Sequence, residues 1–368
     1  MKQAFPLLVR AWWQRLIAPL DLPLLGICGL LLLLAVGVMG SASPERIGSQ
    51  LINMALALVI MRVVAGLSPQ RLASLAVPVY LVGIGLLIGV ALFGDISKGA
   101  RRWLNLGFMR VQPSEIMKIA MPLLLAWFFH RRTTRPRLVD FVIAALLLLV
   151  PVWLIMRQPD LGTAVLVLAA GFYVIFFAGL PWKILAGMVI TALAAAPLAW
   201  NFLHDYQRHR ILTLLDPEKD PLGKGFHIIQ STIAIGSGGL FGKGWRAGTQ
   251  AQLEFIPEHH TDFIFAVFAE EFGLVGNVVL LILYGFLIGR GFVIAAQATS
   301  LFGRLLAGSI TMIFFTYAFV NIGMVSGLLP VVGVPLPLVS YGGTSLVTLF
   351  IGIGILMSIH KNRMLIQK

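Results

Sequence analysis

Long apolar runs separated by short, mostly basic connections dominate the chain, and the length of those runs is the first informative quantity. A helix needs about 20 residues to cross the hydrocarbon core of a bilayer, whereas a membrane barrel shows alternating segments of about 10. The pattern predicts about ten membrane-spanning helices, over 22–40, 47–67, 72–93, 113–130, 139–157, 161–179, 183–203, 263–289, 305–326 and 340–359. Between the seventh and eighth lies a polar, glycine-rich stretch, 204–261, read as one large outer loop. The expected fold is an all-α polytopic membrane protein. It forms a single transmembrane domain over 1–368, without internal repeats or a second soluble unit.

Composition agrees. The chain is 58% hydrophobic and 12% charged, against about 25% charged in ordinary soluble domains. Cys28 is the sole cysteine, so no intrachain disulfide is available and the redox compartment is not readable. Lys2, Arg10 and Arg15 precede the first apolar run. That run exceeds the roughly 7–15 residues of a signal-peptide core, which makes it an uncleaved first span.

Basic residues set the orientation, because short cytoplasmic loops collect Lys and Arg. With the N-terminus inside, the inner segments hold Arg62, Arg71, Arg131, Arg132, Arg135, Arg137, Lys183, Arg290, Arg304, Lys361, Arg363 and Lys368. Of 15 Asp and Glu, only Asp21 and Asp140 fall on that side. Both termini are expected to be cytoplasmic. The outer segments nevertheless carry Lys98, Arg101, Arg102, Arg110, Arg157, Arg208, Arg210, Lys219, Lys224, Lys243 and Arg246. The inside-positive bias does not demand these cations. Either an anionic ligand binds at the outer face, or they pair with nearby acids in a solvated loop.

Candidate chemistry concentrates there. In Glu258-His259-His260-Thr261-Asp262, Asp262 is expected to open a helix near the outer interface. It is either an N-cap or a general base whose pKa is raised by partial desolvation. Glu270 follows about two turns later on a similar face. Carboxylates within spans are rare and default to functional or paired roles. Adjacent His259 and His260 point in different directions and lack further ligands for a metal site, so they read as hydrogen-bonding or phosphate-contacting groups. Pro113 suits a first helical turn, placing Glu115 and Lys118 on one face as an i,i+3 pair. They form a structural ion pair or, with Arg101, a cationic wall facing phosphate. Asp160, after Pro159, is an N-cap or a further site residue. Glycines between 223 and 244 imitate a phosphate cradle without P-loop spacing. That stretch reads as turns followed by a short amphipathic segment, Ile228 to Ile235, lying on the membrane. Prolines 330, 335 and 337 cannot extend a helix, so 329–345 is predicted to be a bent outer or re-entrant loop lining the same cavity.

Together, Ala100-Arg101-Arg102-Trp103 with Gln112-Pro113-Ser114-Glu115, Gln158-Pro159-Asp160-Leu161-Gly162-Thr163, Pro257 to Phe265, and Pro335 to Gly343 resemble the SEDS family of shape, elongation, division and sporulation proteins. The resemblance covers nearly the whole chain. Gln230 to Gly239 and Gly248-Thr249-Gln250 are closer to its elongation branch than to its division branch. It implies a peptidoglycan glycosyltransferase of the bacterial inner membrane that polymerises lipid II into β-1,4 glycan strands during wall elongation. The implied partners are a class B penicillin-binding protein and other membrane proteins of the elongation complex, without nucleic acid. Asp262 falls on the catalytic aspartate. Arg101, Lys118, Arg210 and His260 become candidates to hold phosphate, with Glu115, Asp160 and Glu258 in support. No tightly bound cofactor is expected, and a divalent cation, Mg or Mn, shared with the diphosphate is compatible. A lipid II flippase and a non-catalytic scaffold for the penicillin-binding protein are the alternatives.

Overall fold

The computed structural model describes residues 20–97, 100–105, 110–132, 136–202, 205–220, 223–252 and 258–366. Lys2, Arg10, Arg15, Lys98, Arg135, Pro257 and Lys368 from the sequence reading lie outside them. Each of the ten apolar runs is occupied by one helix. These are α1 (Leu22–Ala42), α2 (Ile47–Gly66), α3 (Pro69–Phe93), α4 (Pro113–His130), α5 (Leu138–Arg157), α6 (Leu161–Phe177) and α7 (Trp182–Phe202). After the polar segment come α11 (Ile264–Gln297), α12 (Leu301–Val325) and α13 (Thr344–Ile366). Seven are long and apolar enough to cross a membrane, while α4, α6 and α7 are shorter or less apolar. The chain is a multi-pass α-helical membrane protein. Its buried centre is α4, α12 and α13, and the large apolar side chains left exposed on α1 to α3, α5, α7 and α11 face lipid.

Two features differ from the sequence expectation. The polar segment is largely helical, with α8 (Asp205–Leu215), α9 (Lys224–Ser237) and α10 (Thr249–Gln252). In α9 the face formed by Gly225, Ile228, Ser231 and Ala234 is buried, and Ser231 donates to the carbonyl of Val325 at 2.9 Å. The amphipathic segment therefore packs on protein rather than resting on lipid. Ahead of α4, the chain forms a three-stranded antiparallel sheet in the order β1 (Asp95–Ser97), β2 (Ala100–Asn105) and β3 (Arg110–Val111). Asn105 pairs with Arg110 and Asp95 with Trp103.

The bundle has chemically distinct ends. At one, Asp21 caps α1 and accepts from Arg290 Nε at 3.0 Å and Nη2 at 2.5 Å, with His360 Nε2 3.3 Å away. This fastens α1, α11 and α13 together. At the other, His259 Nε2 donates to the carbonyl of Ala42 at 2.9 Å, which fixes the far end of α1 to the turn carrying Asp262.

Helix α11 is broken at Gly273 (φ 62°, ψ −160°), a left-handed conformation natural only to glycine. Segment 238–250 dips alongside the break. Lys243 and Gly244 N–H groups donate to the carbonyls of Glu270 and Glu271, and Leu274 and Val275 donate back to Gly239 and Leu240, all at 2.9–3.1 Å. Irregular backbone at this depth needs such partners. The fully buried Glu270 supplies more. It accepts from Lys243 Nζ at 2.6 Å, Thr249 N at 2.9 Å and Thr249 Oγ1 at 3.0 Å, and from Gln250 N. Glu271 accepts from Ser41 Oγ and Arg246 N. The carboxylates of α11 are thus hydrogen-bond acceptors that tie down segment 238–250.

Candidate functional site

The site is built around the irregular segment between α12 and α13. Three successive carbonyls of the 258–263 turn are tied to it or to α12. His260 O accepts from Tyr341 N at 2.9 Å, Thr261 O from Ser340 Oγ at 2.6 Å, and Asp262 O from Asn321 Nδ2 at 2.8 Å. The second N–H of the same Asn321 amide donates to Val334 O at 2.7 Å, so one buried carboxamide clamps both segments. Gln50 on α2 holds the other side, donating to Ser340 O and accepting from Gly342 N. Glu258 (φ 56°) and Leu338 (φ 65°), both non-glycine, adopt left-handed backbone within these two segments. Such strain costs of order 1–3 kcal/mol per residue and persists only where surroundings impose it.

Asp262 is half-buried and precedes the helix rather than capping it. Phe263 occupies the N-cap position with no side-chain capping bond, so the Asp262 carboxylate is not the cap of α11. Its Oδ2 lies beside Gly333 (φ 75°), where a Cβ would approach to 3.2 Å. Glu258 is exposed and accepts from Thr261 Oγ1 at 3.1 Å, closing its own turn.

The histidines serve as hydrogen-bonding groups. Arg46 Nη1 approaches His260 Nε2 at 2.6 Å and stacks over Tyr341 at 5.6 Å. Desolvation, and then the Arg46 charge, push the His260 pKa below its ordinary value. His260 is therefore a neutral acceptor at its Nε2, not a cation awaiting phosphate.

Asp160 is the N-cap of α6, accepting from Thr163 N at 3.2 Å and Thr163 Oγ1 at 3.0 Å. It also accepts from Gln112 Nε2 at 3.1 Å. Arg102 reaches it from β2 at 3.9 Å and donates to Pro159 O at 2.6 Å. The inward-facing arginine of the sheet is thus Arg102, whereas Arg101 is exposed on the opposite face. Strand alternation decides this, and its phase is not readable from a double arginine. Gly162, at the start of α6, packs against Val332 O, bringing Asp160 to the same irregular segment as Asp262.

Glu115 and Lys118 form the anticipated pair at 2.6 Å, and Lys118 also donates to Tyr317 Oη at 2.5 Å. Lys118 is only 3% exposed, so its ammonium is committed inward, not to a phosphate wall. Glu115 Oε2 is buried without a hydrogen-bond partner. Arg210 lies half-buried on α8. Sequence reasoning missed Arg46, Tyr317 and Asn321. The available signal was an amide and a phenol inside an otherwise apolar run, where polar groups are costly unless used.

Glu115 also lines a groove of about 570 Å³ between α2, α3, α4 and α13. Leu56, Ile60, Leu72, Ile116 and Ile351 make its walls apolar, and Asn53, Gln112, Glu115 and Thr344 form a polar mouth. Gly343 lines the mouth, and its neighbouring segment carries the Tyr341 bond to the Asp262 turn. Asp262 is not among the residues that line the groove. Among the described residues no three His, Cys, Asp or Glu side chains converge on a metal position.

Fold and site define a polytopic membrane protein in which the turn carrying Asp262 is clamped to the segment that borders an apolar groove. The chain belongs to the FtsW/RodA/SpoVE family: residues 13–365 match its family model, described as "Cell cycle protein". This is the family that the sequence motifs resemble. The chain is 53% identical over 363 residues to the peptidoglycan glycosyltransferase MrdB of Escherichia coli K12, with 98% of each chain covered. Among solved structures it is similar to a chain from "Structural coordination of polymerization and crosslinking by a peptidoglycan synthase complex", at TM-score 0.81 and 39% identity, covering 93% of this chain and 98% of that one. It is also similar to the rod shape determining protein RodA of Thermus thermophilus, at TM-score 0.71 and 32% identity, covering 93% and 97%.

Proposed function

We propose that this chain is a peptidoglycan glycosyltransferase that polymerises lipid II at the outer face of the bacterial inner membrane, with both termini cytoplasmic. The observation that carries the mechanism is the clamping of the His260, Thr261 and Asp262 carbonyls, which holds the turn carrying Asp262 against the segment whose Gly343 lines a lipid-sized groove. The apolar groove takes the isoprenoid chain, and its polar mouth leaves the diphosphate and sugars at the interface.

Asp262 removes the proton from the acceptor sugar 4-hydroxyl. The freed oxygen bonds to the anomeric carbon of the donor, the anomeric C–O bond breaks, and its electron pair leaves with the polyprenyl diphosphate. The leaving group is already a stable anion, so one base suffices. Arg102 beside Asp160, Arg46 beside His260 and Arg210 on α8 are the cations offered to the diphosphate. The Glu115–Lys118–Tyr317 cluster braces the groove wall. The residues present fit a divalent cation only as a minor partner. Mg or Mn would rest on the substrate diphosphate with one carboxylate, as Mg commonly does in phosphate sites. The exposed apolar helices offer surface to a class B penicillin-binding protein and to other elongation proteins.

The test is polymerisation of lipid II in detergent, where nothing need be flipped, with the penicillin-binding protein present. Wild type should yield glycan polymer and Asp262→Asn should yield none while still binding the partner. Polymer from both variants removes Asp262 as the base. Polymer from neither returns the chain to flipping or scaffolding.

A further inference from the structure

The three-stranded sheet presents two faces, and the second is not used by the reaction just described. One face is fixed against the bundle. Leu104 packs toward Gly89 of α3, within 3.6 Å of where a Cβ would stand, and Arg102 donates to Pro159 O. Side chains alternate along a strand, so Arg101, Trp103 and Asn105 point the other way. Antiparallel register puts Arg110 beside Asn105 and Asp95 beside Trp103 on that same face. Arg101 and Arg110 are exposed and have no ion pair among the described residues, and Trp103 is half-buried between them.

We propose that this outward face holds the growing glycan strand after it leaves the reaction point, which rests on the polymerase reading above. Three observations converge on a saccharide carrying carboxylates. First, an indole set among polar side chains matches the alternating C–H and hydroxyl surfaces of a sugar, since aromatic faces offer contact area with little loss of side-chain entropy. Second, two arginine forks flanking that ring match the stem-peptide carboxylates that recur along such a strand, because guanidinium pairs with carboxylate in a bidentate way. Third, β3 runs directly into Val111 and Gln112, which line the mouth of the lipid groove. The sheet therefore borders the groove, and a product chain leaving the reaction point passes its edge to reach the outward face. Arg101, Asn105 and Arg110 are exposed rather than enclosed in the cradle that a diphosphate needs, which allows a strand to slide one disaccharide per cycle. The sheet is thus a track that retains product between additions.

The test compares wild type with Arg110→Gln, Trp103→Leu and the double variant, each full-length with its penicillin-binding partner, supplied with lipid II. Strand length is measured at equal lipid II consumption. The expected result is a fall in mean strand length of threefold or more in the double variant, with many short products in place of few long ones. Lipid-free, uncross-linked glycan strands should bind wild type and bind the double variant about tenfold more weakly, or about 1.4 kcal/mol. Unchanged strand length at equal consumption overturns the proposal, as does failure of wild type to retain free strands. Failure of wild type to make any polymer refutes the polymerase reading instead, so the two outcomes are separable.

Discussion

The carboxamide of Asn321 donates one N–H to the backbone carbonyl of Asp262 and the other to that of Val334, at 2.8 and 2.7 Å. Both acceptors are carbonyls, so the orientation of this amide is fixed by chemistry. Asn321→Asp preserves the shape and replaces both donors with oxygen. We expect kcat to fall by about tenfold or more, in line with a loss of at least 1–3 kcal/mol for buried groups left unpaired, while KM for lipid II changes little. A fall in kcat that tracks a loss of folded protein, measured by thermal unfolding beside steady-state polymerisation, would show instead a general loss of folding.

Gly333 stands with a positive φ against the Asp262 carboxylate. Gly333→Ala strains the backbone and crowds Oδ2 from 3.2 Å. Strain of this kind costs of order 1–3 kcal/mol. Polymerisation should drop severalfold with little change in thermal stability of the transmembrane bundle. A variant as active as wild type argues that the carboxylate does not need its present position.

Glu115 and Lys118 are both buried and paired through Glu115 Oε1, with Tyr317 as the second partner of Lys118. Glu115→Gln or Lys118→Met alone should destabilise by about 3–5 kcal/mol, because a buried charge loses its partner, and the double variant should recover much of that loss. A double-mutant cycle on thermal unfolding in detergent checks this. Additive losses would mean the two charges are not coupled.

His260 is held neutral in the fold, with its pKa below the ordinary 6.5. The sign follows directly. Above pH 6.5 the histidine is neutral folded or unfolded and the contribution is fully present. As pH falls toward the lowered folded value, the unfolded chain binds a proton that the native site resists, so stability declines. Protonation also removes the acceptor for Arg46 and opposes two cations. Because the folded pKa is lowered, activity should fall on the acid side only at a pH below the ordinary histidine value, and His260→Gln, a neutral acceptor at all pH, should flatten that limb. An unaltered acid limb in the glutamine variant assigns the loss to another group.

The helices of the apolar runs were legible in the sequence because about twenty apolar residues leave few structural options. So was Asp160 as a cap, since Asp before a helix and three residues ahead of Thr163 has a local explanation. The Glu115–Lys118 pair was legible from spacing alone, but its direction was not. Whether Lys118 meets a phosphate or Tyr317 depends on α12, about 200 residues away in the chain and related to α4 only by packing. The choice between Arg101 and Arg102 required the phase of a short strand, and the sheet itself hid inside a charged connection. Asp262 as a helix cap was a local inference that failed for a tertiary reason. Its turn is shaped by Asn321, Ser340 and Tyr341, none of which lies nearby in sequence.

The joint at Gly273 makes the spacing of residues 239–244 part of the architecture of a helix to which they do not belong. Removing one of them would withdraw acceptors from Leu274 and Val275 and open a seam in α11. Although this stretch has no regular secondary structure, insertions and deletions there should be tolerated as poorly as in the middle of a span, and loop swaps between homologues should succeed only when they keep its length.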